Sequence, residues 1–253
     1  MSEKRVFIVT GSASGVGAAT ALQLARRGER VVINCSKSVA EAEAVAAKCA
    51  IAGGEAIVVQ ADVAKDEDCR RLAQAALAKW GRIDGLVNNA GTTKFASMQD
   101  LAALSADDFH NIYAVNTIGA YQMVRACEAS LRESRGAVVN VSSIASNQGV
   151  GSSIAYAASK GALNAMTLCL ARSLGPAIRV NAVLPGFIET RWLQQGLGGA
   201  YDKVRAGYCA QAALATVLTP EDAAETIVWL LDAAKITGQL VTIDAGKAIG
   251  RLG

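Results

Sequence analysis

Val6-Phe7-Ile8-Val9-Thr10-Gly11-Ser12-Ala13-Ser14-Gly15-Val16-Gly17 is the stretch on which the fold turns. It opens as a short, largely β-branched apolar run, passes through a Gly- and Ser-rich turn, and from Val16 to Arg27 takes on a helical pattern. Each glycine has a use in such a turn. Gly11 can take the tight bend, Gly15 lets the backbone approach a phosphate, and Gly17 lets helix and strand pack closely, while the helix N-terminus offers unpaired N–H groups. Glycines alone also occur in ligand-free connections, so the weight of the motif comes from its place between a strand and a helix.

The alternation continues along the chain. Arg30 to Cys35, Glu55 to Ala61, Gly85 to Asn88, Gly136 to Val141, Ile178 to Val183 and Gln239 to Ile243 read as further strands. Helices are expected over Ser38 to Ala52, Asp66 to Trp80, from near Ser105, over Tyr156 to Leu174, and after Thr219-Pro220-Glu221-Asp222. Ser105 with Asp108 resembles a capping box, and Gly175 and Pro176 stop the long helix before them. Short apolar strands alternating with long helices predict an α/β fold: a single-domain, doubly wound Rossmann fold spanning 1–253, about seven parallel strands with helices on both faces. Around 186–207 the periodicity is broken by Gly196, Gly198 and Gly199, and a mobile flap is expected there.

Composition narrows the function. The 253 residues are 52% hydrophobic and 19% charged, which excludes disorder, collagen and a disulfide miniprotein, and a chain of this length buries a core without staples. A net charge of +3 with no basic run longer than a pair makes nucleic acid and anionic membrane poor partners. Cys35, Cys49, Cys69, Cys127, Cys169 and Cys209 form no CxxC pair and have no histidine nearby, so small core side chains are expected rather than disulfides or a metal site. The apolar run Val6 to Val9 is too short for a signal segment or a membrane span, and a cytoplasmic protein is expected.

The spacing TGxxxGxG, Asn88-Asn89-Ala90-Gly91 after the fourth strand, Asp62 after the third, Asn116, Ser143, Tyr156 with Lys160, and Pro185-Gly186 come in one order. In this order and over nearly its whole length the chain resembles the short-chain dehydrogenase/reductase family. The resemblance implies that Gly11, Ser14, Gly15, Val16 and Gly17 hold the dinucleotide's phosphates, and that Asn89, Ala90 and Gly91 line the adenosine side. It places Asp62 and Val63 at the adenine and Pro185, Gly186 and Ile188 beside the nicotinamide. It also makes Asn116, Ser143, Tyr156 and Lys160 the catalytic set, with Lys160 on the nicotinamide ribose and Asn116 holding a water that links Lys160 to solvent.

The residues themselves agree with that chemistry. Tyr156 and Lys160 are four apart and share one helix face. A phenol ionises at a pKa of about 10, so proton exchange near neutrality asks for about 4 kcal/mol of phenolate stabilisation, which neighbouring cations can supply. Ser142 and Ser143 point opposite ways at a strand end, and the separation from Tyr156 selects Ser143 to hydrogen-bond the substrate oxygen. The expected reaction is hydride transfer between a nicotinamide and a carbonyl or secondary alcohol.

Where an acidic residue after the second strand would favour NAD, the chain reads Asn34-Cys35-Ser36-Lys37. Ser36 and Lys37 suit a 2′-phosphate, so NADP is preferred and NAD is the alternative. The phrase Pro185-Gly186-Phe187-Ile188-Glu189-Thr190 is similar to 3-oxoacyl carrier-protein reductases and is shared with sugar, steroid and small-ketone reductases. A 3-oxoacyl thioester is therefore one substrate reading, a sugar, steroid or small secondary alcohol the alternative, and docking of an acyl carrier protein lacks a mapped basic patch. Phe187, Ile188, Trp192, Leu193 and Leu197 make the flap apolar, and with Arg191 its one early basic residue, a highly anionic substrate is not demanded. The resemblance also implies a homotetramer. The tail from Lys247 to Gly253, after Asp244-Ala245-Gly246 in place of Asp-Gly-Gly, is expected to reach a neighbouring subunit. A serine hydrolase is set aside because the one histidine, His110, has no G-x-S-x-G elbow to serve. A catalytically silent nucleotide sensor is disfavoured because Tyr156 and Lys160 are both present.

Overall fold

Val6–Val9 (β1) is buried at all four positions, and the strand's period of two sends its side chains to opposite faces. Phe7 and Val9 join one hydrophobic cluster and Val6 and Ile8 the other, so a single strand is shared by two cores. The computed structural model describes residues 4–250. Residues 251–253, the end of the tail expected to reach a neighbouring subunit, lie outside them.

After β1 come α1 (Gly15–Arg26), β2 (Arg30–Cys35), α2 (Val39–Ile51), β3 (Glu55–Gln60), α3 (Asp66–Trp80) and β4 (Gly85–Asn88). The second half runs through α4 (Ala106–Tyr113), a π turn (Ala114–Gly119), α5 (Ala120–Ser134), β5 (Ala137–Val141), α6 (Ala145–Gln148) and α7 (Ile154–Leu174). It ends with β6 (Arg179–Pro185), α8 (Arg191–Leu197), α9 (Tyr201–Gln211), α10 (Pro220–Asp232) and β7 (Leu240–Ile243). The strands form one seven-stranded sheet in the order β3-β2-β1-β4-β5-β6-β7, with every neighbouring pair parallel.

Residues of α1, α2 and α10 cover one face, and residues of α3, α5 and α7 cover the other. This is the doubly wound Rossmann architecture expected from the alternation. Of the six cysteines, Cys35, Cys49, Cys69 and Cys127 are buried in these cores. The order reverses between β1 and β4, which opens a crevice at the carboxyl ends of the strands.

Local signals set the helix boundaries. Capping boxes at Ser105/Asp108 and Thr219/Asp222 start α4 and α10, the latter with Pro220 in its first turn. The glycine-broken region is more regular than its periodicity suggests. Thr190 caps α8 by accepting from the Leu193 N–H, and after a turn at Gly198–Ala200 the chain forms α9. Gly196 lies inside α8 because a Cβ there would stand 1.9 Å from the Phe95 ring. Here glycine marks close packing rather than the end of a helix.

One half-buried guanidinium closes the far end of α10. Arg179 donates to the carbonyls of Leu230 at 2.9 Å, Leu231 at 2.6 Å and Ala233 at 2.9 Å. These carbonyls lie at the helix C-terminus, where partners along the helix run out. We expect Arg179→Met to cost about 2–4 kcal/mol of stability in urea unfolding, because it deletes charge-assisted bonds and strands three acceptors. A change below about 0.5 kcal/mol would show that water replaces the guanidinium there.

Candidate functional site

The crevice is a cleft of about 2100 Å³ lined from both halves of the sheet. At its centre lies the glycine turn. Gly11 is left-handed (φ +61°), and a Cβ on Gly17 would stand 2.5 Å from Asn89 Nδ2 and 2.6 Å from the Gly11 carbonyl. The turn is pinned from two sides. Asn89 Nδ2 donates to the Thr10 and Gly11 carbonyls at 2.9 and 3.0 Å, while Thr10 Oγ1 accepts from the Asn89 and Ala90 N–H groups, both at 3.0 Å.

Asn34, buried in β2, holds the other side. Its Oδ1 accepts from the Gly11 N–H at 3.0 Å, and its Nδ2 donates to the Val59 and Ala61 carbonyls at 3.2 and 3.0 Å. Sequence reasoning passed over Asn34 as a site residue, although a lone amide in the run Val-Val-Ile-Asn-Cys was the available signal.

The helix that follows the turn fits a phosphate. No side chain caps α1 at Ser14, and its first turn has no carboxylate, whereas α3, α4 and α10 begin with acidic residues. Its leading N–H groups and positive dipole end face the cleft through Ser14, Gly15 and Val16. Toward β2 and β3 the lining continues with Ser36, Lys37, Asp62 and Val63. Asp62 Oδ1 accepts from the Ala64 N–H at 3.1 Å, and its own N–H donates to Asp68 at 2.7 Å, so the loop after β3 is held in one shape. Ser36 and Lys37 are exposed, and Lys37 has no charged partner among the described residues.

At the other end, Ser143, Tyr156 and Lys160 come together. Ser153 caps α7 by accepting from the Tyr156 N–H at 3.3 Å, which sets Tyr156 in the first turn and Lys160 one turn below it. The Tyr156 and Ser143 side chains line the same end of the cleft, and the Ser143 hydroxyl is near enough to favour the phenolate of Tyr156. Lys160 is buried, donates to the Val141 carbonyl at 2.7 Å, and its Nζ lies 5.7 Å from the centre of the Tyr156 ring. The neighbouring serines point apart as expected: Ser142 Oγ donates to the Lys160 carbonyl at 3.2 Å, away from the cleft chemistry.

Burial sets the electrostatics of the pair. It pushes the Tyr156 phenol up to about 12, against the opposing effect of the Ser143 hydroxyl, and it lowers the Lys160 ammonium to about 8. At neutral pH the phenol therefore keeps its proton and the lysine still carries its charge.

Asn116 lies in the π turn between α4 and α5. Its Oδ1 accepts from the Thr92 N–H at 2.8 Å, and its Nδ2 donates to the Thr92 carbonyl and Ser159 Oγ, both at 3.0 Å. The carboxamide thus braces the loop after Gly91 against α7, with its hydrogen bonds made to Thr92 and Ser159. The π turn interrupts the regular i to i+4 hydrogen-bond ladder at Asn116, an irregularity that is frequent at functional sites.

Pro185, Gly186 and Ile188 line the cleft below α8, with the Pro185 carbonyl accepting from the Ile144 N–H at 3.1 Å. Two further residues emerge here. Thr190 places its methyl over Gly15, and Trp192 stacks at 5.5 Å on Phe95 and 6.2 Å from Tyr156, so α8 roofs both ends of the cleft. Arg191 bonds Glu41 of α2 at 2.8 Å across the mouth.

Known proteins are similar to this chain over nearly its whole length. A family profile described as enoyl-(acyl carrier protein) reductase matches residues 11–248. The chain is 42% identical to a protein named as ketoacyl reductase 2 of the granaticin polyketide synthase, from Streptomyces violaceoruber, over 96% of each chain. It is 36% identical to a 3-oxoacyl-[acyl-carrier-protein] reductase of a Synechocystis species over 97% of each chain. A crystal structure from Burkholderia xenovorans described as a short-chain dehydrogenase/reductase superposes with a TM-score of 0.91 at 41% identity, covering 99% of this chain and 100% of that one.

The lowered lysine has a thermodynamic signature. Between about 8 and 10.5 on the pH scale the unfolded chain binds a proton that folded Lys160 has released, so this group's contribution to stability rises with pH across that window. We expect the stability of the cofactor-free protein, relative to Lys160→Met, to rise by about 3 kcal/mol over that range in urea unfolding. A difference that stays flat with pH would mean that Lys160 is not desolvated.

Proposed function

The chain belongs to the short-chain dehydrogenase/reductase family, and we propose that within it the protein is an NADP-dependent ketone reductase acting on 3-oxoacyl thioesters or related polyketide-type ketones. It is an NAD(P)-dependent oxidoreductase exchanging a hydride between a nicotinamide and a carbonyl or secondary alcohol. The observation that carries the reading as a reductase is that Ser143, Tyr156 and a buried, charged Lys160 line the same cleft as an uncapped helix N-terminus.

The bound dinucleotide supplies the hydride. The protein's part is to position the ketone and deliver a proton. Tyr156 is the proton donor: a phenol at about 12 stays protonated at neutral pH, yet gives its proton readily to a developing alkoxide, a far stronger base. Ser143 shares the substrate oxygen and stabilises charge as it grows there. Lys160 favours the phenolate left behind by its ammonium charge, which counts for more in a buried site than in water. The π turn at Asn116 is the route by which that proton is replaced from solvent, through a backbone carbonyl rather than the carboxamide.

Gly11, Ser14, Gly15, Val16 and Gly17 hold the phosphates, Asp62, Val63, Asn89, Ala90 and Gly91 the adenosine half, and Pro185, Gly186 and Ile188 the nicotinamide, with Lys160 on its ribose. Preference for the phosphorylated cofactor rests on Ser36 and Lys37. No carboxylate ends β2, Asn34 is turned inward onto Gly11, and the Lys37 ammonium is available for a 2′-phosphate. The polyketide and 3-oxoacyl names of the relatives support the substrate class. Exposed Tyr121 on α5 and Leu168 on α7 support the homotetramer, with these two helices as its interface. Among the described residues no helix is long and apolar enough to cross a membrane.

Replacing Tyr156 by Phe should lower kcat for ketone reduction at least about a hundredfold while leaving NADPH binding, followed by its fluorescence, within about threefold. Retention of turnover would remove Tyr156 from the chemistry. For the cofactor, kcat/KM should favour NADPH over NADH, and Lys37→Ala should weaken NADPH by roughly ten- to a hundredfold with little effect on NADH, the size of one lost charge-assisted contact. Equal losses for both cofactors would contradict a 2′-phosphate role.

A further inference from the structure

Resting on the reading of the cleft as a ketone site, we propose that the substrate carries an anionic group, a carboxylate or a phosphate, and that Lys247 binds it. Most cations lining the cleft are accounted for. Lys160 donates to Val141, Arg71 pairs with Asp68 at 2.6 Å and Arg191 with Glu41 at 2.8 Å, while Lys37 and Lys65 border the end built by β2 and β3. Lys247 lines the opposite end, half-buried and without a charged partner among the described residues.

Its position is built by hydrogen bonds. The Asp244 carbonyl accepts from the Tyr208 hydroxyl at 2.8 Å, and the Asp244 carboxylate accepts the N–H groups of Gly246 at 3.0 Å and Ala248 at 2.8 Å. The Leu214 N–H donates to the Ala245 carbonyl at 3.0 Å. Together these bonds fix the turn that sets Lys247 beside α9, whose Tyr208 and Gln211 also line the cleft. They engage the nearest carboxylate, Asp244, with backbone rather than with the lysine. Glu189 is taken by Arg205.

The cleft that Lys247 lines also takes apolar and neutral side chains from α8 and α9, among them Trp192, Gln195, Val204 and Gln211, and the acidic residues in its lining, Glu41, Asp62 and Asp68, come from α2, the loop after β3 and α3. A half-buried lysine in a cleft wall with no acidic partner among the described residues keeps its donors for a ligand. An anionic oxygen on the ligand engages them through a charge-assisted bond and anchors the substrate's far end while its carbonyl meets Ser143 and Tyr156. Arg191, the flap's early cation, points to no anionic substrate, because it is paired. The anion site is instead set in the tail, where the chain reads Asp-Ala-Gly-Lys.

The two sources of such a group are a carboxylate on the ketone itself and the phosphate of a phosphopantetheine thioester. The test measures binding by isothermal titration in the presence of NADP⁺, which cannot reduce the ketones, for two matched pairs of compounds. One is a ketone ending in a carboxylate against its carboxamide; the other is a 3-oxoacyl phosphopantetheine thioester against the neutral N-acetylcysteamine thioester. The full chain, Lys247→Met and Lys247→Arg are compared.

In the unsubstituted protein the anionic member of one pair should bind roughly tenfold or more tightly than its neutral partner, and the pair that shows this identifies the source. The ratio should fall to about one in K247M, survive in K247R, and shrink with added salt. Equal affinities within both pairs, or a preference that persists in K247M, overturns the proposal. Oxidation of NADPH by the neutral ketone is followed separately. If no ketone is reduced while the anion preference is intact, the ketone-reductase reading fails and the lysine site stands.

Discussion

The cleft depends on the joint between Thr10 and Asn89. They sit at the carboxyl ends of the two strands where the sheet reverses its order, and parallel strands leave unpaired polar groups at such ends. The threonine hydroxyl accepts two N–H groups from the β4 side, and the asparagine amide returns two bonds to the β1 side. This reciprocal lock satisfies the backbone at the reversal without filling the crevice. It also leaves Gly17 so close to Asn89 that no side chain fits between them. A binding surface and a strand joint are thus made from the same atoms.

At the catalytic end the governing term is desolvation. Burial lowers the proton affinity of Lys160, and its donation to a carbonyl rather than a carboxylate leaves its charge free to act on Tyr156. A carboxylate partner would stabilise the lysine and neutralise its effect on the phenol. The protein accepts a strained ionisation state at this point, and the two hydrophobic cores on either side of the sheet supply the stability that offsets it.

Much of this was legible in the residues. Strand and helix periodicity located the elements to within a few positions, because each helix has one apolar stripe and each central strand is buried on both faces. The i, i+4 spacing of Tyr156 and Lys160, and the opposite facing of Ser142 and Ser143, follow from backbone geometry alone. What escaped was contact across the chain. Gly196 reads as a helix breaker until Phe95, about a hundred residues earlier in the chain, is seen to require its missing side chain. Asn34 reads as one residue of a strand until its amide is found spanning β2, β3 and the glycine turn. Lys247 lies in a tail with no periodicity, and only the folded turn at Asp244 brings it to the cleft.

The sheet also acts as a bulkhead. The phosphate-facing helix α1 is seated wholly in one hydrophobic compartment, and the Ala171–Leu174 end of the catalytic helix α7 in the other. Damage to packing on one side stops at the strands, since distant sites without shared neighbours contribute independently. The packing that seats α1 and the packing that seats the far end of α7 can therefore drift separately under mutation, each repaired on its own side of the strands.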